Sequence, residues 1–146
     1  MKENAILINI EMINEQKFKK FTKEQRSTFK YWFYHVLAFN LVAKELHCWK
    51  FKYLFHDFEK PWLKLILRDY AKVQKWHRTH NSHHLEFKGE KDYEAMALDW
   101  ECSRYSKQAE PRTALQEAEY KLNNGSMNYG DYCAFVATAL RMGLKK

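Results

Sequence analysis

His56 and Asp57 stand side by side in KYLFHDFEKPW, between an aromatic run and the proline that opens the next segment. Imidazole nitrogen and carboxylate oxygen are both ligands for divalent cations such as Mn, Fe, Co, Ni, Mg or Zn. Adjacent residues on a helix point about 100° apart, so the doublet shares one ion only at a helix end, with other helices completing the shell. Two further residues have the right chemistry in an odd place. His35 lies three residues after Trp32 and four before Phe39, inside an apolar stripe. Asp99 lies four after Ala95 and three before Cys102, flanked by Leu98 and Trp100. A carboxylate turned to a core is costly without a cation or several donors. A buried His–Asp or Arg–Asp pair explains either residue singly. One shared cation explains His35, His56, Asp57 and Asp99 together.

A second group of histidines follows in KWHRTHNSHHLEF: His77, His80, His83 and His84. On an unbroken helix His77, His80 and His84 share a face, and His80 with His84 forms an i,i+4 pair able to grip a metal. Asn81-Ser82 reads as the helix end, which leaves an exposed polar loop as the plainer reading of the cluster. His77, beside Trp76, reads as packing, and His47 has no evident partner. Arg104 and Lys107 follow Asp99 by one and two helical turns, placed to contact a phosphate or to favour a helix C-terminus.

These residues need helices to position them. Thr22 and Gln25 form a T-x-x-Q capping box ahead of a long helix whose core face is Phe29, Trp32, Phe33, Val36, Phe39, Ala43 and Leu46. KYLFHDF reads as a short helix ending near the doublet. Pro61 opens a third helix running to His80, and another spans about Lys91 to Lys107. Pro111 opens the next, closed by Asn124-Gly125, and the last ends at Gly143. Asp69 reads as water-facing and Asp92 as a helix cap, which makes both weaker fourth ligands than Asp99.

Length and composition agree with one all-α domain of five to seven helices spanning residues 1–146. The chain has 146 residues, 46% of them hydrophobic, enough for a real core. Four glycines and two prolines are too few for the turns of a many-stranded β fold. No apolar run approaches a membrane span, and the N-terminal MKENAILINIEMINEQ, broken by glutamates, does not read as a signal peptide. Cys48, Cys102 and Cys133, widely spaced and odd in number, suit a reducing cytoplasm and no disulfide framework. The net charge of +7 suits a phosphorylated small molecule and also admits nucleic acid. Abundant aromatics leave room for a homo-oligomer interface.

The order H…HD…D on helices resembles the HD-domain metal-dependent phosphohydrolase superfamily, and HDFEK resembles its H-D-x-x-K form, with Lys60 in the lysine place. The likeness covers roughly residues 28–105. The doublet, the histidine-rich N-x-HH and the later DW are similar to small phage and bacterial members, which implies a host cytoplasm if the chain is phage-encoded. The resemblance implies an HD-like fold and a first ion held by His35, His56, Asp57 and Asp99. It implies a second ion held by His80 with His83 or His84. The implied activity is hydrolysis of a nucleotide or related phosphate ester by a metal-activated water. Asp57, Lys60 and His80 are the implied catalytic residues, and Lys60, Arg104 and Lys107 the implied substrate contacts. Two other classes remain open: a basic helical module binding nucleic acid or an acidic protein, and an HD-like di-iron oxygenase.

Overall fold

The computed structural model describes residues 21–22, 24–106 and 112–146. The N-terminal segment, Lys107 and Pro111 lie outside the described residues. Among the described residues the chain is all-α, as expected, with six α-helices and two short 3-10 helices. None of these helices is long and apolar enough to cross a membrane.

The segment from Thr22 is two elements rather than one helix. Thr22 and Gln25 do exchange capping bonds, the Thr22 amide to Gln25 Oε1 at 3.0 Å and the Gln25 amide to Thr22 Oγ1 at 3.4 Å. The turn they cap is a 3-10 helix, Glu24–Ser27. Thr28 then supplies a second cap, its Oγ1 accepting from the Tyr31 amide at 3.2 Å, and opens α1, Phe29–Glu45. The buried stripe of α1 is Tyr31, His35, Ala38, Phe39, Val42 and Ala43, at the i, i+4, i+7, i+8 spacing of a helix face. Phe29 and Phe33, expected on that face, are 66% and 54% exposed. The stripe is therefore rotated, and His35 sits nearer its centre.

After α1 a 3-10 helix, Phe51–Phe55, leads to the His-Asp doublet. Buried Asn40 clamps it: its Nδ2 donates to Val36 O and Tyr53 O, both at 2.8 Å, and its Oδ1 accepts from Trp49 Nε1 at 2.7 Å. The expected helix from Pro61 to His80 is α2, Glu59–Leu67, followed by α3, Tyr70–His80. Arg68 ends α2 in the left-handed region at φ 53°, and Asp69 caps α3 by accepting from the Ala71 amide at 3.0 Å. Asp69 is thus a cap as well as an exposed residue. Asp92, as expected, caps the following helix, accepting from the Ala95 amide at 3.0 Å.

That helix is α4, Tyr93–Ser106, and it is the centre of the fold. One core cluster joins its Ala95, Leu98 and Cys102 to Phe39 and Val42 of α1 and to Tyr53. A second joins its Met96 and Ala97 to α5, Ala114–Asn123, and α6, Tyr129–Arg141. Full burial of side chains such as Phe39, Leu98 and Phe135 is worth about 1.5–3 kcal/mol each. Thr113 and Gln116 form a complete capping box at the start of α5. All three cysteines are free thiols. The outcome for function is a packed α1–α4 pair, with the 55–58 turn and the 81–92 connection bringing His56, Asp57, His83 and His84 to it.

Candidate metal centre

The side chains of His35, His56, Asp57 and Asp99 come together between α1, the 55–58 turn and α4, each offering one ligand atom within 4.8 Å of all the others. His35 Nε2 lies 2.9 Å from Asp99 Oδ1, 3.2 Å from His56 Nε2 and 3.6 Å from Asp57 Oδ2. His56 Nε2 lies 3.2 Å from Asp99 Oδ1 and 3.4 Å from Asp57 Oδ1. Ligands held about 2.1 Å from one cation are separated by about 3.0 Å along an octahedral edge and about 3.4 Å along a tetrahedral one. The donor set and its spacing fit a divalent cation.

Backbone geometry explains how neighbours reach one point. His56 terminates the 3-10 helix with φ −56° and ψ 128°, and Asp57 then turns into the left-handed region at φ 55°. Aspartate is one of the few non-glycine residues that adopt this conformation readily, because its short polar side chain can bond locally. The turn reverses the chain so that both side chains face α1 and α4. The side chain of Asp57 is only 2% exposed, while that of Asp99, at 13%, is the most accessible of the four.

A second group, His77, His83 and His84, lies against the first. His77 Nε2 is 3.0 Å and His83 Nε2 3.3 Å from Asp57 Oδ1, and His84 Nε2 is 2.8 Å from His77 Nε2. Asp57 thus touches both groups. Asp57 Oδ1 is buried with His77 Nε2 as its nearest imidazole nitrogen, and the buried His83 Nε2 has no hydrogen-bond partner. Imidazole nitrogens and carboxylate oxygens crowded on one buried point form a donor set that a cation could satisfy.

His80 is not part of either group. It is exposed, stacks on Trp76 with ring centroids 4.2 Å apart, and places Nδ1 2.8 Å from Trp76 O. The helix ends at His80, so the expected 80/84 pair never forms; α3 turns His77 inward and His80 to solvent. His77, expected to be packing, is fully buried in the second group. Glu59 and Asn81 were missed as well. Glu59 Oε1 meets His77 Nδ1 and accepts from Asn81 Nδ2 at 2.8 Å, which fixes the ring with Nε2 toward Asp57. Asn81 one turn after His77 is the only sequence signal for this arrangement. His84 is in the second group as expected, with His83 beside it.

Electrostatics suit ligation at His56 and His84, whereas at His77 burial is outweighed by Asp57 and Glu59, which raise it above its ordinary value. Burial pushes His56 down to about 4, and burial with the neighbouring His83 pushes His84 to about 2, so both rings are neutral with a lone pair to donate. Lys60 Nζ lies 2.6 Å from Asp57 Oδ2. Burial opposes both charges of this pair, but Asp57 holds Lys60 above its usual value, and His56, Lys60 and His77 together hold Asp57 well below the carboxylate range. Burial likewise opposes the Asp99 charge, and the hydrogen bonds of His35 and His56 hold it well below that range. Arg104 bonds Glu101 Oε1 at 2.8 Å and, with Asp99, lines a cavity beside the cluster.

The structure therefore defines a class: an all-α protein with a buried His/Asp cluster suited to hold a metal ion. No protein-family model, curated protein or solved structure matches the chain.

Proposed function

We propose that the protein is a metal-dependent phosphohydrolase of HD type, acting on a nucleotide or related small phosphate ester. One observation carries the reading: the buried Asp57 Oδ1 has imidazole nitrogens of His77, His83 and His56 at 3.0, 3.3 and 3.4 Å. The H…HD…D order of His35, His56, Asp57 and Asp99 and the HDFEK motif support the family assignment.

His35, His56, Asp57 and Asp99 would hold one divalent ion, and His77, His83 and His84 a second beside the shared Asp57. Bound there, such ions supply a water of near-neutral pKa and neutralise phosphoryl charge. The chain's own groups do the rest. Lys60 lines a cavity with His35 and Asp57, where its charge would meet a phosphoryl oxygen. Glu59 keeps the Nδ1 proton of His77 on its outer side, leaving Nε2 for ligation. Burial of the cluster keeps the field of Lys60 unscreened.

The test is hydrolysis of a panel of nucleotides and p-nitrophenyl phosphate by protein reconstituted with Mn²⁺. Turnover that EDTA abolishes and that Asp57→Ala loses supports the reading. Purified protein that takes up no divalent metal, or turnover indifferent to Asp57→Ala, overturns it.

A further inference from the structure

The surface made by residues 51–58 and α2 is apolar where solvent should meet polar groups. The rings of Phe51, Phe55, Phe58 and Trp62 follow one another with centroids 5.7, 6.2 and 6.3 Å apart. Leu65 and Ile66 come three and four residues after Trp62, which sets them on its face of α2. Ile66, at 76%, is the most exposed large hydrophobic residue among those described. At about 200 Å² for a fully exposed aromatic residue, the four rings alone show about 450 Å², and Leu54, Leu65 and Ile66 extend the patch. The largest apolar patch of a monomer is typically about 300–600 Å², and larger ones mark interaction sites.

We propose that this face seats the protein on an anionic lipid bilayer, as a peripheral contact independent of the metal centre. Charge selects the partner. From 51 to 68 every exposed residue is either apolar or one of Lys52, Lys64 and Arg68. Lys52 pairs with Asp92 at 2.8 Å. Lys64, which donates to Ser27 O, and Arg68 have no acidic partner among the described residues. The first exposed acid beyond the face, Asp69, is engaged as the cap of α3. Cations without acidic partners beside protruding aromatic and aliphatic side chains match an anionic headgroup layer over acyl chains.

A second copy of the chain fits the face less well. A two-fold axis sets a patch against itself, so Lys64 and Arg68 would meet the same cations with no exposed acid on the face to pair with them. Single-stranded nucleic acid also fits less well. Its bases stack on aromatic rings, but Leu65 and Ile66, the most exposed apolar residues of α2, offer no ring. On a bilayer those aliphatic side chains enter the acyl boundary, Trp62 lies at headgroup level, and Lys64 and Arg68 reach lipid phosphates. Lys64, Leu65 and Arg68 also line the cavity over His35 and Asp57, so the docked face borders the approach to the cluster.

The experiment is vesicle co-sedimentation of the full chain in EDTA. Vesicles are phosphatidylcholine alone or with about 30% phosphatidylserine. Each cation at an anionic surface is worth about a five-fold gain in partitioning, so the wild type binds the anionic vesicles at least about ten-fold more tightly than the neutral ones. Lys64→Gln with Arg68→Asn, the asparagine suiting the left-handed backbone there, weakens binding to anionic vesicles about 25-fold and spares the neutral ones. Trp62→Gln with Ile66→Gln, both at exposed positions, weakens binding to either vesicle at least about ten-fold. Tyr129→Gln with Leu140→Gln, equally exposed but on α6, changes neither. Wild type that stays free of anionic vesicles, or α2 variants that bind as the wild type does, overturns the proposal. A dimer in sedimentation velocity that Trp62→Gln with Ile66→Gln disperses gives the face to a second copy and overturns it. Oligonucleotide binding abolished by that same pair, without vesicle binding, overturns it as well. Failure of the phosphohydrolase reading leaves vesicle binding in place, because the assay contains no metal and varies no residue of the cluster.

Discussion

Asp57→Asn separates what the carboxylate does for the fold from what it does for the centre. Asparagine keeps the shape and tolerates the left-handed backbone at φ 55°, so the change is chiefly one of charge. In metal-free protein it strands Lys60, whose side chain is 19% exposed and whose Nζ lies 2.6 Å from Asp57 Oδ2. Breaking a buried pair from one side costs about 3–5 kcal/mol, and the partial exposure of Lys60 puts the expectation at the lower end. At about 2–4 °C per kcal/mol for a chain of this size, the melting temperature falls by about 6–12 °C. In the wild type, Mn²⁺ at a hundred times its Kd adds about 2.7 kcal/mol per site, a rise of about 5–10 °C for one site. Asp57 touches both ligand groups, so in Asp57→Asn this rise shrinks to below about 2 °C. The assay is calorimetry of both proteins in EDTA and in excess Mn²⁺. A variant that melts with the wild type in EDTA, or gains as much from Mn²⁺, refutes the reasoning.

Further outcomes follow from the same geometry. His80→Ala leaves metal uptake unchanged and stability within about 0.5 kcal/mol, because the ring is exposed and outside both groups; equilibrium dialysis and urea titration check this. Glu59→Gln frees the His77 ring and lowers affinity at the second position about 10–100-fold while sparing the first, read as a split of one dialysis step into two. Asn40→Ala leaves Tyr53 O and Trp49 Nε1 without their bonds and costs about 2–3 kcal/mol in urea unfolding. Glu94 gives the pH test: burial opposes its charge, but bonds from Lys50 and Tyr53 hold it below its ordinary value of 4.5. A depressed carboxylate stabilises above its unfolded pKa and loses that contribution as pH falls through the folded one. The stability gap between wild type and Glu94→Gln is therefore full at pH 7 and closes below about pH 4.5. A gap of constant size from pH 7 to 3.5 contradicts it.

The fold class and the first ligand group were legible because both rest on local pattern. His35 and Asp99 break apolar stripes, and a polar residue on a core face is visible from spacing alone. The rotation of the α1 stripe was not visible, because aromatic residues cover more of that helix than its buried face and Phe29 and Phe33 look like core by type. The split between α2 and α3 was hidden for another reason: Arg68 adopts a left-handed conformation that sequence associates with glycine or asparagine. The histidine cluster was misread at one residue. The helix end at Asn81 was legible, but which face of α3 turns inward depends on packing against other elements, and that puts His77 inside and His80 in solvent. Glu59 meets His77 and Asn81 from another helix, and no spacing within one helix announces a partner in another.

Anomalous diffraction from crystals grown with Mn²⁺ tests the metal centre most directly. The account predicts a peak about 2.0–2.3 Å from His35 Nε2, His56 Nε2 and one oxygen each of Asp57 and Asp99. A second peak is predicted beside His77, His83 and His84. No peak in the cluster, with His35 Nε2 and Asp99 Oδ1 still in direct contact at 2.9 Å, would contradict it.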